Sequence, residues 1–456
     1  MGSQLTWYIK MRYEIYYNKT ISCVNVCEWR FTDLLSAFKL FLFSLIVLMT
    51  MCNCSDTKRQ STRNMSNSDS CPSSSSAVCA ETCDFKPTVN VYIENSGSMD
   101  GYVKGRTEFE TIVYNYLVDL KLAEATAGFN LFYINSKLLP QQDDVHDFIE
   151  KLEPNSFSAK GGDRGTSDIS QMIKMIMNEM NDSIVSIFIS DCIFSPGRGM
   201  DAGEYLNNQQ IGIKNVVGQY FNNHPNLAII GYRCMSSFNG NYYDKNNKGK
   251  FFEGRRPFYV WLLGTQHALK CIQNQMSNCR YKLDGVENDF VVFGSGDTMP
   301  GSCYAVKRNS GKFDLKRGDS KHSIENLEAD KNGKVRFSVE VDFTPYILSD
   351  AYLCDASMYR LNDSKYRVVS VERIKNHNKY SHVINIEADK VHPTILEIQL
   401  CTSQPTWPEY YNDDEGCNIT NSNSEKTYGI KYMTNGIAQA IIRKEYYTRM
   451  TININK

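Results

Sequence analysis

Residues 89–99 read VNVYIENSGSM, an apolar run that changes abruptly into a polar loop containing a glycine. The first half is rich in β-branched and aromatic residues, which is typical of a buried strand. The second half places oxygen-bearing side chains at alternate positions, Glu94, Ser96 and Ser98. The stretch therefore predicts a strand with a polar cluster at its carboxyl end, either a metal-binding loop or an ordinary turn.

Strands and helices alternate beyond this stretch, up to about residue 280. Further apolar strands are predicted at residues 129–135, 183–191, 226–234 and 257–264. Between them, apolar side chains recur at helical spacing, as in Phe109, Ile112, Val113, Tyr116, Leu117 and Leu120. This alternation predicts an α/β domain over residues 88–280 with a doubly wound, mostly parallel sheet.

Doubly wound sheets bind their ligands beyond the carboxyl ends of the strands. Glu94 and Asp191 both end predicted strands, and Thr166 lies in the loop GGDRGTSDIS (161–170) before a predicted helix. Carboxylate and hydroxyl oxygens are suitable ligands for Mg²⁺, which needs oxygens from more than one loop. We therefore expect Ser96, Ser98, Thr166 and Asp191 to converge with Glu94 at one edge of the sheet.

Each of these residues also has a plain structural explanation. Thr166 and its two successors are good helix N-caps, which are expected before any helix. Ser96 and Ser98 suit a turn, and Asp191 could hydrogen-bond within its own loop. The order of the residues along the chain, at strand ends, is what favours a site.

Together, IENSGSM, the later loop threonine and the strand-ending aspartate resemble the von Willebrand factor A domain, over about residues 88–280. That family has a metal-ion-dependent adhesion site built on D-x-S-x-S, a later Thr and a later Asp. The resemblance implies that Ser96, Ser98 and Thr166 contact a Mg²⁺ or Mn²⁺ ion. It also implies that Glu94 and Asp191 act mostly through bound water.

The sequence departs from the family pattern at its first position, where Glu94 replaces the usual aspartate. Glutamate reaches one methylene further and could bind the metal directly. A directly bound carboxylate would cancel part of the cation's charge. The substitution therefore bears on metal affinity and on the strength of ligand capture, but not on the fold.

The function implied by the resemblance is non-catalytic binding, in which the metal takes a carboxylate from a partner protein as its last ligand. Two other classes stay open: a structural or assembly factor with a vestigial site, and a metal-dependent hydrolase with Asp191 or Glu94 as base. The sequence contains no HExxH and no G-x-S-x-G, which disfavours zinc-protease and serine-hydrolase chemistry. We expect the chain not to be an enzyme.

The region after residue 280 has a different pattern. In KVRFSVEVDF (334–343) apolar and polar residues alternate, and Asn332-Gly333 before it is a strong hairpin-turn signal. Further strands are predicted at 366–374, 381–389 and 394–402, with a helix near 430–443 and a last strand near 448–455. Residues 281–456 are therefore predicted to form a β-rich, sandwich-like domain.

The first 54 residues are typical of an export segment. The run LFLFSLIVLMTM (40–51) follows Arg30 and Lys39 and is shorter than the roughly 20 residues that span a membrane. The cysteine after it, Cys54 or alternatively Cys52, resembles the lipidation site of bacterial lipoproteins. An uncleaved anchor or ordinary secretion is the alternative. Residues 55–87 are predicted to be a Ser-rich flexible linker, so we expect a membrane-anchored protein of the cell envelope.

Composition excludes some partners. The formal net charge of −1 over 456 residues gives no basic footprint for nucleic acid. The 15 cysteines contain no paired CxxC motifs, which disfavours a structural zinc site. Cys271 and Cys279 are close enough in sequence to form a disulfide. The runs DKNNKG (244–249), YNDDEG (411–416) and QPTWPEYY (404–411) are best explained as two solvated turns and a packed corner of the β domain.

Overall fold

The computed structural model describes residues 84–456 except 166, 197–199, 277–282, 284, 297, 376–378, 417 and 456. The predicted export segment, most of the linker, Cys52, Cys54, Thr166 and Cys279 therefore lie outside the described residues. None of the helices in the described part is both long enough and apolar enough to cross a membrane.

A seven-stranded sheet organises the first part of the chain, in the order β3-β2-β1-β4-β6-β5-β7. Its strands are β1 Thr88–Glu94, β2 Gly128–Ile134, β3 Leu138–Gln141, β4 Ile184–Ser190, β5 Leu227–Tyr243, β6 Gly249–Thr265 and β7 Val286–Phe293. β1 pairs in parallel with β2 and with β4, while the remaining neighbours are antiparallel. The sheet is therefore mixed, with a parallel centre that brings the ends of β1 and β4 to one edge.

Helices cover both faces of this sheet. They are α1 Glu108–Leu122, α2 Val145–Glu150, α3 Pro154–Ser158, α4 Ile169–Asn178, α5 Ala202–Asn223 and α6 Gln266–Met276. Alternate residues of β1 enter two different hydrophobic cores, Val91 on the side of α1, α2 and α6, and Tyr92 on the side of α4 and α5. The apolar positions predicted along α1 are all buried, which confirms its helical pattern.

β5 and β6 differ from the prediction of two separate parallel strands. They pair with each other in antiparallel register from Leu227–Thr265 to Tyr243–Gly249, so they form one long hairpin. β4 pairs with β6 only at residues 259–263, and β7 pairs with β5 only at residues 228–234. Residues 235–257, which we call the arm, extend beyond these pairings. Its tip is an Asx turn in which Asp244 accepts from the backbone N–H groups of Asn246 and Lys248.

Two further sheets occupy the C-terminal part, in the orders β12-β15-β18-β10-β9 and β13-β14-β11-β8. Their strands are β8 Tyr304–Val306, β9 Lys312–Leu315, β10 Ser323–Glu328, β11 Val335–Val341, β12 Tyr359–Leu361, β13 Tyr366–Arg373, β14 His382–Ala388, β15 Thr394–Cys401 and β18 Tyr446–Ile454. All pairs are antiparallel except β10 with β18. The inward residues of β11, β15 and β18 belong to one hydrophobic cluster, so the β-rich prediction is confirmed.

The turn at Asn332-Gly333 forms as predicted, with Gly333 at φ +75°. It is followed only by an isolated bridge between Ala329 and Val335, because β10 and β11 then enter different sheets. The described helices of this part are α7 Asp350–Leu353, α8 Trp407–Tyr410 and α9 Ile430–Ile441, with a short 3-10 helix at Ala356–Met358. A small parallel pair joins β16 Asn412–Asp413 to β17 Thr427–Tyr428. A second short 3-10 helix, Gly97–Gly101, lies in the first part of the chain, after β1.

The C-terminal part returns to the first sheet. α9 packs on the α4 and α5 side through Ile437, in the same core as Ile213 of α5. Residues 411–428 apart from 417, which we call the strap, run beside the arm. Thr427 accepts a hydrogen bond from the Tyr259 hydroxyl at 2.9 Å, and Tyr428 O accepts from Phe194 N at 3.2 Å. The strap therefore reaches the same edge of the sheet as the end of β4.

Candidate metal centre

The polar loop after β1 is a short 3-10 helix, Gly97–Gly101, with Ser96 as its N-cap. The Ser96 side chain makes no capping hydrogen bond, although serine at an N-cap commonly does. Instead its hydroxyl lies 3.0 Å from the Ser98 hydroxyl. The two serine hydroxyls therefore lie side by side within the loop.

Glu94 is fully buried, and both of its carboxylate oxygens accept hydrogen bonds. Ser167 donates to Oε1 at 2.7 Å, and Ser190 donates to Oε2. Burial, and secondarily the neighbouring Asp191 carboxylate, raise the pKa of Glu94 to about 7. The longer side chain of glutamate thus reaches two serines on other segments, Ser167 and Ser190.

Asp191, directly after β4, is also fully buried. Its Oδ1 accepts from Ile193 N at 3.1 Å, and its Oδ2 has no hydrogen-bond partner within the described residues. Burial raises the pKa of this carboxyl above its usual range, although the Ile193 backbone N–H, Arg256 and the Ser98 hydroxyl act in the opposite direction. The site thus contains two adjacent buried carboxylates, one of which has an oxygen atom without a hydrogen-bond partner in the described part of the chain.

The loop before α4 is tied to the loop after β1 by Arg164. Its Nε donates to Asn95 O at 2.6 Å, its Nη2 donates to Ser96 O at 3.3 Å, and the guanidinium pairs with Asp100. In return Arg164 O accepts from Gly97 N at 2.9 Å. These contacts fix the two loops in register, so Arg164 lies against the serine loop.

Arg256, on the arm, is a buried cation close to these acids. Its side chain is almost fully buried and stacks on Tyr242, with the guanidinium carbon 4.8 Å from the ring centroid. Nη1 donates to Ser424 O at 3.2 Å, while Nε and Nη2 have no hydrogen-bond partner within the described residues. Arg256 is near enough to Asp191 to influence its pKa, but no ion pair joins them in the described part of the chain.

Taken together, the structure brings Glu94, Ser96, Ser98 and Asp191 to one edge of the sheet, as predicted. Thr166 lies outside the described residues, but its neighbour Ser167 contacts Glu94 directly. The plain explanation holds for Asp168, which caps α4 by accepting from Gln171 N at 2.9 Å.

Sequence reasoning missed the residues that support the site. Ser190 ends a buried strand, where a serine reads as an ordinary strand residue, and Ser167 reads as one of three helix caps. Arg164 carried a usable signal, because it is a charged residue within a glycine-rich loop beside Thr166. Arg256 had none, since its burial follows from the hairpin that was not predicted.

The other candidate segments have structural roles. Asp413 forms a turn by accepting from the backbone N–H groups of Glu415 and Gly416. Trp407 is buried and donates from Nε1 to Asp289 O at 2.6 Å, so it packs against β7 of the seven-stranded sheet and not at a corner of the β-rich domain. Cys271 is disulfide-bonded, and its predicted partner Cys279 lies outside the described residues.

The sequence was compared with known protein families and with curated proteins. No family model matches the chain, and no curated protein matches it.

Proposed function

We propose that the carboxyl edge of the seven-stranded sheet binds one Mg²⁺ or Mn²⁺ ion, and that the ion captures a carboxylate of a partner protein. The observation that carries the proposal is the fully buried Oδ2 of Asp191, which has no hydrogen-bond partner among the described residues and lies beside a second buried carboxylate, Glu94. Two acids in a dry environment repel each other and are costly to ionise. A divalent cation would neutralise both.

The donor set fits a hard cation. Ser96 Oγ, Ser98 Oγ and Asp191 Oδ2 are oxygens, which Mg²⁺ and Mn²⁺ prefer, and the set contains no sulfur or imidazole. Thr166 is proposed as a further ligand from its place in the sequence. Because the donors are mostly neutral hydroxyls, the ion would keep much of its charge for an incoming carboxylate.

In this proposal Glu94 supports the metal ligands without binding the ion itself. Its two oxygens are engaged by Ser167 and Ser190, so it contributes charge without direct contact with the ion. Carboxylates that support metal ligands through hydrogen bonds typically tune affinity rather than create it. The replacement of the expected aspartate by glutamate is therefore accommodated by two serines, and the ion keeps an open position for the partner.

The same proposal includes the family resemblance and the location. The chain would be a von Willebrand factor A-like protein whose doubly wound sheet precedes a sandwich-like domain. It would be tethered in the cell envelope through a lipidated Cys54 or Cys52. The mixed sheet with helices on both faces and the antiparallel C-terminal sheets support the fold proposal.

A second candidate function is favoured by the burial of the site. Ser96 and Ser98 are only 2% and 6% exposed, so a bound ion would be enclosed. An enclosed ion would stabilise the fold of a structural or assembly factor without contacting any partner. Under this candidate function the metal raises the melting temperature but does not promote binding of acidic ligands.

The two candidates are separated by a ligand-binding assay. We expect a fluorescent peptide rich in aspartate to bind the purified chain in Mn²⁺ and to be released by chelator. Ser98→Ala should abolish this metal-dependent binding. Ser338→Ala is the matched control, because Ser338 is similarly buried but donates to Asn385 in the four-stranded sheet. Metal-dependent stabilisation with no peptide binding would support the structural role instead.

A further inference from the structure

The arm lies directly on the loop that carries the proposed metal ligands. A Cβ atom built on Gly97 would be 3.3 Å from the Tyr243 hydroxyl. A Cβ on Gly240 would be 2.6 Å from Gly101 Cα and 2.9 Å from Gly101 N. These two close approaches flank Ser98 on both sides, so the arm covers the outer side of the serine loop.

Polar contacts fasten the arm to the segments around the site. At its tip, Asn247 Nδ2 donates to Gly165 O at 2.9 Å, next to the position of Thr166. Nearer the sheet, Lys104 Nζ donates to Asn239 Oδ1 at 3.0 Å. The arm therefore closes on both loops that form the site.

The strap is also hydrogen-bonded to the arm. Three donors of the arm bind carbonyl oxygens of the strap: Lys245 N to Gly416 O at 2.9 Å, Lys250 Nζ to Ile419 O at 3.0 Å, and Arg256 Nη1 to Ser424 O at 3.2 Å. The C-terminal part of the chain thus supports the closed position of the arm.

We infer that the arm is an intramolecular cap, and that the metal site receives its partner only when the arm is displaced. This inference rests on the proposed function, because the site that is capped is the proposed metal site. A carboxylate that completes the coordination of the ion must approach from outside. Tyr243 and the Gly240–Gly101 contact cover the path of that approach. In addition, the buried Arg256 places a positively charged side chain near Asp191.

Closure is the favoured state of the free protein, because the arm buries aromatic side chains against the first core. Phe238, Tyr242 and Phe252 are all buried there. The apparent affinity of a site that is open for only a fraction of the time is reduced by that fraction. Any change that weakens closure therefore raises the apparent affinity for a carboxylate ligand, and the partner or a change at the strap is the natural trigger.

A wedge in the Gly240–Gly101 contact tests the cap. In Gly240→Ala the new methyl group meets backbone atoms of Gly101 that cannot yield without moving the arm. We expect hydrogen exchange at the amides of residues 97–102 to accelerate about tenfold or more. We also expect bound Mn²⁺ to enhance water-proton relaxation more strongly, because its open position exchanges with solvent. Gly128→Ala, which meets no atom within 4 Å, is the control and should behave as the wild type.

A second variant covers the case in which the wedge prevents folding. Asn247→Gly removes only the bond at the tip of the arm, and glycine suits the positive φ of +57° at this position. We expect a smaller acceleration of exchange, about threefold. If the hydrogen-exchange rates of residues 97–102 in the folded variants equal those of the wild type, the arm is not a cap. Absence of Mn²⁺ binding in every protein overturns the proposed metal site instead, and the exchange rates still decide whether the arm covers the loop.

Discussion

Glu387 and Glu94 are both buried, but the charged groups around them differ in sign. Glu387 on β14 is surrounded by three cations: Lys334 at 3.5 Å, Arg336 at 2.9 Å, and Arg367. The hydrogen bond from Arg336, helped by the other two cations, holds the pKa of Glu387 below its usual range. Glu94 at the end of β1 receives only serine hydroxyls and lies next to Asp191, and its pKa is raised.

The difference indicates what each region is for. In the four-stranded sheet the fold supplies cations for its buried acid, so Glu387 is a satisfied structural residue. At the carboxyl edge of the seven-stranded sheet, no lysine or arginine forms an ion pair with Glu94 or Asp191 within the described residues. Arg256 is close enough to lower the pKa of Asp191 but forms no ion pair with it in the described part of the chain. A buried pair of carboxylates without an ion pair costs stability, and in our proposal a metal ion from solution supplies the further positive charge.

The largest effect is expected from Asp191→Asn. Loss of the only ligand with full charge and a free oxygen should reduce Mn²⁺ affinity by more than ~100-fold. In metal-free buffer the same variant should melt at a higher temperature than the wild type, because it removes a buried charge. Differential scanning calorimetry with and without Mn²⁺ measures both effects.

Glu387→Gln provides the contrast for that experiment. This variant should melt at a lower temperature, because it leaves three cations without their shared acceptor. Its Mn²⁺ affinity should equal that of the wild type. If Asp191→Asn and Glu387→Gln change the melting temperature in the same direction, the distinction between the two acids is wrong.

Stability should depend on pH in a way that identifies Glu94. Its pKa is raised to about 7 in the folded chain and lies near 4.5 without burial. Between these values the unfolded chain loses a proton that the folded chain keeps. This group therefore stabilises the metal-free protein fully below pH 4.5, and the contribution is lost as pH rises towards 7, by up to about 1.4 kcal/mol per pH unit.

The variant Glu94→Gln isolates this contribution. Chemical denaturation of wild type and variant across pH 4.5–8 should show a difference that grows with pH in metal-free buffer. Saturating Mn²⁺ should remove the wild-type loss, because the ion replaces the proton. A constant difference across this range would contradict the uncompensated state of Glu94.

The smallest effect is expected from Ser167→Ala. This change removes the hydrogen bond that Ser167 donates to the Glu94 carboxylate. We expect Mn²⁺ affinity to fall by about tenfold, as is usual for residues that orient a site without binding the metal. The carboxylate retains its bond from Ser190, so the fold should be unaffected, and circular dichroism serves as the check.

Much of the fold could be predicted from the sequence. Helical spacing of apolar residues predicted α1 and α4, and strict alternation of apolar and polar residues predicted β11. Both patterns arise because one face of the element is buried. Convergence of Glu94 and Asp191 was also predictable, since β1 and β4 are parallel neighbours and their carboxyl ends meet.

What could not be predicted depends on long-range pairing. The segments 226–234 and 257–264 each read as a buried strand, and nothing local shows that they continue into one hairpin whose arm folds over the site. The roles of Ser167 and Ser190 were equally hidden. A hydroxyl contact with Glu94 depends on three segments meeting in space, not on the sequence around any one of them.

The central claim is that the Glu94–Asp191 edge of the sheet is completed by a metal ion. Isothermal titration calorimetry of Mn²⁺ into the metal-free chain at pH 7.5 tests it most directly. We predict saturable binding of one ion per chain, which Asp191→Asn weakens by more than ~100-fold and Glu387→Gln leaves unchanged. Absence of saturable binding at millimolar Mn²⁺, or an affinity that Asp191→Asn leaves unchanged, would contradict this prediction.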